Sequence, residues 1–525
     1  MSDVPIEGGQ ERNLKRNFTL WTALGIALCA SGAWEGWIAS IAQGLLGGGP
    51  VALFWGWIFV TVGIACEACS LAEMASAWPS AGGQYVWAAE LAPPSIRKII
   101  SWYTFWISFA GLWIGAVSSG MGVAVQLQSY VAVTREYDMI RWHAFLICTA
   151  CFVIWVVVNI VGLRAVHLLN DTFMYIHVAG FIAIVATLLA CTKDKHDAHY
   201  VFLSFDNSTG YSSNGVAWCI GLLPSLFAFF SLDTATHYSE EVKDANKAVP
   251  RAIMIQACLN GIMTLPFIIV VLFCIGDVES VLGSQIGFTS PFTQVILNST
   301  GSPAAAVILN LVSTYIAFGA GLDLWGAAAR ALWSIARDGA LPQAFARVHP
   351  KYGVPVWPMV ALLPPSIILT MIYIWNSTAF YGIMSGVLVS FQLSYAIPIA
   401  LRVFYGRWRV KTMGPWTVGR AGIFIDIFAL FFCIFMIIFM SFPSTKPITA
   451  TNMNYSVVIV GGVLFFATCV WFLYARKRYQ GSPFVQDGEG QAANAPMVDP
   501  TLIHGGTHCS PVEKEHVDEV WKEMS

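Results

Sequence analysis

The sequence predicts an all-α integral membrane protein of twelve transmembrane helices. Three observations carry this: apolar stretches of membrane-spanning length recur along the chain, charge is scarce, and the positive residues are distributed to one side. Of the 525 residues, 57% are hydrophobic and 11% charged, and the mean hydropathy is +0.65. A soluble domain carries about 25% charged residues, so this chain cannot coat a water-facing surface of its size. The 21 Trp, 17 Tyr and 34 Phe suit many membrane–water boundaries, where amphipathic rings collect.

A hydrocarbon core of about 30 Å asks for roughly 20 apolar residues per helix. Such stretches lie near 20–45, 51–73, 100–132, 143–163, 172–191, 216–236, 252–275, 303–326, 357–375, 380–401, 421–441 and 456–475. The third is long enough to tilt or to extend past the lipid. The first 17 residues are polar, and the apolar run after them is too long for a signal-peptide core. That run therefore reads as a first span that also targets the chain. With the N-terminus inside, only Arg135, Arg141, Lys193, Lys195 and Lys446 among the 28 Lys and Arg fall in outer segments. Lys514 and Lys522 lie in the C-terminal tail and the others in inner segments, which by the positive-inside rule puts both ends in the cytoplasm. The division is then a cytoplasmic N-tail 1–17, a twelve-helix domain 18–480, and a C-tail 481–525 whose Gly, Pro and acidic content predicts disorder. Sequons at Asn207, Asn298, Asn376 and Asn454 fall in outer segments, the third very close to the membrane; those at Asn17 and Asn170 fall inside. Asn207, Asn298 and Asn454 are the glycosylation candidates.

Several chemistries are excluded. Cys66/Cys69 and Cys148/Cys151 form CxxC pairs, but each sits in an apolar run without the further ligands a zinc site needs. No metal or cofactor is expected. His504, His508 and Cys509 in the tail resemble a metal cluster only superficially. The net charge of −2 and the absence of a basic block longer than Arg476-Lys477-Arg478 argue against a nucleic-acid partner. His167-Leu168-Leu169-Asn170-Asp171 has three residues between His and Asp where the familiar acyltransferase box has four, so an enzyme is not expected.

Three segments are more specific than hydropathy. They are Ser70-Leu71-Ala72-Glu73-Met74-Ala75-Ser76-Ala77-Trp78-Pro79-Ser80-Ala81-Gly82-Gly83-Gln84-Tyr85, the run from His237 to Ile253 that contains Glu240-Glu241-Val242-Lys243, and Ala336-Arg337-Asp338-Gly339-Ala340-Leu341-Pro342. In this order they resemble permeases of the amino acid–polyamine–organocation superfamily, and most closely its fungal amino acid/choline branch with GABA and choline permeases. The resemblance covers roughly residues 15–480. It implies two five-helix halves related by inverted topology (5+5) with helices 1 and 6 broken, followed by two C-terminal helices, and substrate held at mid-membrane. The implied activity is secondary transport of an amino acid, GABA or choline-like amine, with the proton gradient as driving force. Two further readings stay open: a permease moving a secondary-metabolite alkaloid, and a non-transporting nutrient sensor on the same fold. The plasma membrane is the expected location, with the vacuolar membrane as alternative; the sequence is silent on oligomeric state.

The matching region of span 1 is Leu28-Cys29-Ala30-Ser31-Gly32-Ala33-Trp34-Glu35-Gly36, and that of span 6 is Ala228-Phe229-Phe230-Ser231-Leu232-Asp233-Thr234-Ala235. Unwinding frees N–H groups that suit a carboxylate and carbonyls that suit an ammonium. The carboxylate contact is assigned to the backbone of Ser31, Gly32 and Ala33, beside Ala30, and the ammonium contact to Cys29, Phe229 and Ser231. Span 6 has no glycine in this stretch to mark its break. Phe229 and Phe230 either cover a cation or pack as ordinary aromatics. Ionisable groups inside spans are functional candidates by default: Glu35, Glu67, His177, Asp233, Asp323 and Asp426. Glu35 and Asp233 follow the two breaks and lead as substrate contacts. His177 and Glu67 are the proton-coupling candidates, although His177 reads equally as a packing histidine. Glu240, Glu241 and Lys243 are either a cytoplasmic gate or a solvated turn.

Overall fold

The computed structural model describes residues 18–161, 163–284, 286–287, 290–375, 379–405, 414–450, 452–479 and 481. The expected tails 1–17 and 482–525 lie outside the described residues, with the sequons at Asn17 and Asn376, the side chain of His167, and the tail's His504, His508, Cys509, Lys514 and Lys522.

The described regular structure is helical: α1 (Leu20–Ser31), α2 (Ala33–Ala39), α3 (Ile41–Leu46), α4 (Gly49–Ala77), α5 (Gln84–Leu91), α6 (Arg97–Thr134) and α7 (Arg141–Val161). There follow α8 (Leu163–Cys191), α9 (Ala198–Leu203), α10 (Asn214–Ile220), α11 (Leu223–Phe227), α12 (Thr234–His237), α13 (Ala245–Cys274) and α14 (Val278–Gly283). The rest are α15 (Pro291–Thr300), α16 (Pro303–Arg337), α17 (Val356–Ala361), α18 (Leu363–Trp375), α19 (Ala379–Tyr405), α20 (Gly422–Met440) and α21 (Ser456–Leu473). Among the described residues, extended pairing is confined to two single-residue bridges, Phe18 with Val242 and Gly47 with Asn207.

Among the described residues, ten helical segments are long and apolar enough to cross a membrane, so the chain is a multi-pass integral membrane protein. The two other apolar stretches, 20–46 and 214–237, are each divided into shorter helices. At 1.5 Å per residue the 38-residue α6 measures about 57 Å, well past the hydrocarbon thickness. It is also enclosed: 83% of its most apolar window is buried, against 17% for α21, so α6 runs through the bundle while α21 faces lipid. α6 packs against α16 and α19. Small residues let the helices close in, as where Gly319 and Gly321 on α16 receive the rings of Phe173 and Trp155. Pro250 inside α13 cannot donate to the Asn246 carbonyl one turn back. The Ser76 hydroxyl donates to that carbonyl instead, at 2.8 Å, which satisfies it internally as a membrane interior requires.

Candidate functional site

The first interruption is a single residue. Gly32 closes α1 with its N–H bonded to Leu28 O at 3.0 Å, then takes φ 47° and ψ 64°, and α2 starts at Ala33. The left-handed region is open to glycine and costs other L-residues about 1–2 kcal/mol. No side chain caps α2, so its first-turn N–H groups keep their dipole end for other partners. Ser31 donates back to Ala27 O and Leu28 O (3.1 and 3.2 Å) and accepts from Asn260 Nδ2 at 2.8 Å.

The second interruption lies between α11 and α12. Phe229 and Phe230 N–H groups bond three residues back, at 3.0 and 3.3 Å, and Ser231 takes φ 58°. The break that no glycine marks is therefore made by serine. Ser231 is fully buried, and its hydroxyl has no hydrogen-bond partner among the described residues. The two interruptions lie side by side: a Cβ on Gly36 would stand 3.3 Å from Ala228 Cα and 3.4 Å from Phe227 O. Phe229 stacks on Trp57 with ring centroids 4.9 Å apart, and the Trp57 indole donates to Gly261 O at 3.0 Å. Gly261 follows Asn260, so this wall runs back to Ser31. Phe230 stacks instead on Phe227, at 4.8 Å.

Glu35 and His177 meet. His177 Nδ1 and Glu35 Oε1 are 2.6 Å apart and both residues are buried. The Trp34 ring lies 5.7 Å from the imidazole. Glu35 Oε2, His177 Nε2 and the Trp34 indole nitrogen have no hydrogen-bond partner among the described residues. Glu35 Oε2 points toward the interruption, 3.8 Å from where a Gly32 Cβ would stand.

Asp233 is placed differently. It accepts from Gln84 Nε2 at 2.5 Å, Tyr395 Oη at 2.6 Å and His237 Nε2 at 3.0 Å. His237 Nδ1 is 2.8 Å from the Ala81 carbonyl, an acceptor, so that nitrogen carries a proton. Nε2 and the carboxylate share a further proton across their 3.0 Å contact. The Asp233 oxygens are committed within the protein. Glu35 and Asp233, expected together, have separate partners. Glu67 sits between α4, α19 and α20, bonded by Gln392 Nε2 at 3.3 Å and Cys433 Sγ at 3.1 Å, and shares no contact with His177. Asp323 accepts from Asn170 at 3.1 Å and lies beside Cys29. Asp426 accepts from Ser70 at 2.6 Å and pairs with Arg402 at 3.3 Å.

The three sequence segments that stood out converge on one end of the bundle. Glu240 pairs with Arg337 at 2.6 Å, and Tyr85 donates to Asp338 at 2.9 Å. The His237–Ala81 bond joins the first segment to the second. Glu241 is paired with Arg330, whose guanidinium lies 4.1 Å over the Tyr238 ring. Phe18 N–H donates to Glu241 O and Lys243 N–H to Phe18 O (2.8 and 2.9 Å), while the Lys243 side chain is exposed. Gly83, at φ 55°, matters here, because a Cβ on it would stand 3.2 Å from the His237 ring. Burial pushes the Asp338 carboxyl up to about 7 despite Arg337 beside it. Sequence reading counted Arg330 and Arg337 only as topology markers and gave Gln84, Tyr395 and Asn260 no role. Gln84, Tyr85, Arg337 and Asp338 do lie inside the three segments, which was the available signal.

Of the sequons, Asn298 is exposed and Asn207 half-buried, whereas Asn454 is buried with its amide donating to Met440 O and Phe442 O.

The amino acid permease family profile matches residues 18–465. The chain is 29% identical over 488 residues to a choline transporter of Saccharomyces cerevisiae, covering 92% of this chain and 86% of that one. It is 32% identical over 442 residues to a putative amino acid/polyamine transporter of Macrophomina phaseolina (82% and 96%). A GABA-specific permease of Saccharomyces cerevisiae is 29% identical over 509 residues (94% and 88%).

Proposed function

The chain belongs to the amino acid permease family, and on that premise we propose that it is a proton-coupled secondary transporter of a small amino-group-bearing solute. It is a membrane transporter and not an enzyme. The observation that carries the finer reading is the pair of adjacent interruptions at Gly32 and Ser231 with the buried Glu35–His177 pair beside them. In this reading the divided stretches 20–46 and 214–237 are spans 1 and 6, which with the ten long segments makes twelve crossings. Their positions, five spans apart, suit two inverted five-helix halves plus two further helices. The twelve-helix domain is 18–480, and both termini are cytoplasmic in the plasma membrane. Asn298 and Asn207, on the outer side in this reading, are more exposed than Asn454, although their amides too donate within the protein.

Substrate lies between the interruptions, against the backbone at Cys29 to Ala33 and under Phe229. A 2.6 Å contact between His177 Nδ1 and Glu35 Oε1 holds one shared proton. A second proton has two places to go, His177 Nε2 or Glu35 Oε2, so the pair can gain and lose a proton without breaking the contact. Histidine is the side chain whose ordinary titration lies nearest neutrality. At the cytoplasmic end, Glu240–Arg337, Glu241–Arg330 and Tyr85–Asp338 close the path and must part for release. Proteoliposomes with an imposed pH gradient and a panel of labelled amino acids and amines test this. Accumulation of at least one solute that collapses with a protonophore is the expected result, and gradient-independent equilibration of every carried solute would overturn the coupling.

A further inference from the structure

Resting on the transport reading, we infer that Glu35 Oε2 is the anionic anchor of the site and selects small organic cations, from ammonium to quaternary ammonium, over zwitterions. Asp233 has three hydrogen-bond partners spread over both its oxygens, and so has no free acceptor to offer. Asp323 accepts from Asn170 on Oδ1 and lies against the Cys29 thiol; its Oδ2, like Glu35 Oε2, has no hydrogen-bond partner among the described residues, which makes Asp323 the rival anchor. Glu35 uses one oxygen on His177, and its other oxygen has no partner and stands beside Gly32.

No buried Arg or Lys among the described residues is free to offset Glu35. Among the described residues the buried Arg and Lys side chains are Arg330 and Arg402, and each is held by a glutamate. The first-turn N–H groups of α2 remain, but Glu35 is itself in that turn and already complements the helix dipole. A substrate carboxylate laid against Gly32 would therefore meet a carboxylate oxygen with no Arg or Lys beside it, and His177 Nδ1 is already turned to Glu35. An ammonium or trimethylammonium group meets Glu35 Oε2, and Phe229 and its stacked partner Trp57 offer an aromatic wall of the kind that holds quaternary cations. His177 acts here as a positioning residue, because its Nδ1 fixes which carboxylate oxygen is left for the ligand. Cys29 and Asp323 are the other titratable groups near the pair.

The test is ligand binding by the purified full-length protein, with choline and tetramethylammonium as cations and GABA and proline as zwitterions. Parent, Glu35→Gln, Asp233→Asn and Asp323→Asn are compared. Glutamine keeps an acceptor for His177, so folding is preserved, and an unchanged melting temperature without ligand checks this. Losing a charge-assisted contact predicts about 100-fold weaker cation binding in Glu35→Gln and a smaller change for zwitterions. Asp323→Asn should weaken both classes alike. Cation-selective loss in Asp233→Asn or Asp323→Asn with Glu35→Gln unaffected would overturn the assignment, as would equal loss of both classes in Glu35→Gln. A parent that binds zwitterions alone would overturn the inference and leave the transport reading standing. A parent that neither binds nor carries any amino-group solute would sink the transport reading itself.

Discussion

Gly32 and Ser231 adopt nearly the same left-handed backbone, φ 47° and 58°, yet they reach it by different routes. At Gly32 the residue itself permits the turn, since no Cβ opposes it. At Ser231 the residue resists, at a cost of about 1–2 kcal/mol, and its surroundings impose the conformation. Thr234 returns both its N–H and its hydroxyl to Ser231 O, at 3.1 and 3.0 Å. Two residues on from Ser231, Asp233 is pinned by Gln84, Tyr395 and His237 from two other parts of the chain. One interruption is a local property and the other a tertiary one. Disturbing them should therefore fail in different ways: the first through lost transport, the second through lost stability.

The largest effect is expected at Gly32. Leucine there combines backbone strain with a Cβ 3.2 Å from Ile316 Cγ2 and fills the space beside Glu35. Uptake should fall by at least about 100-fold at normal surface expression, as the roughly tenfold loss per 1.4 kcal/mol implies. Near-normal uptake kinetics in that variant would place the site elsewhere. Next is His177→Gln, which keeps a donor toward Glu35 but cannot take a second proton. Accumulation against a pH gradient should drop severalfold more than equilibrium exchange, and equal losses would return His177 to packing.

The second interruption is probed by Tyr395→Phe. Removing one donor from a buried carboxylate costs about 1.5–3 kcal/mol, so the melting temperature should fall markedly while the affinity of the remaining folded protein changes little. An affinity loss at unchanged stability would mean Asp233 touches substrate. Ser231→Gly should go the other way, because relieving the left-handed strain offsets the extra chain entropy of glycine. Stability should stay within about 1 kcal/mol of the parent with transport retained. Collapse of transport would give the Ser231 hydroxyl a direct role.

The smallest effect concerns pH at the end of the bundle where the three segments meet, the cytoplasmic end in the proposed orientation. Asp338 has its carboxyl raised to about 7 by burial in the closed cluster, against an ordinary value near 3.9 when exposed. The closed form therefore holds a proton that the opened form releases. Closure should strengthen as cytoplasmic pH falls from about 7 toward 4, and weaken as pH rises through 7. Cytoplasmic-side labelling of a cysteine placed at Ser334 would read this as slower modification at lower pH. Asp338→Asn should flatten the profile; a dependence of the opposite sign would exclude Asp338 as its source.

The sequence alone determined the membrane class, most of the helices and the break at Gly32. These follow from local quantities: apolar length against bilayer thickness, and the absence of a side chain at one position. It also marked the three segments that converge at one end of the bundle, without saying that they touch one another. Only the tertiary structure decided that Glu35 meets His177 from a helix 142 residues away, that Asp233 is used up by Gln84, Tyr395 and His237, and that a serine makes the second break. A carboxylate's role depends on which partners reach it, and apart from His237, four residues from Asp233, those named here come from distant helices whose spacing leaves no periodic trace. Backbone strain at Ser231 is likewise invisible locally, because it is held in place by contacts that exist only once the bundle has packed.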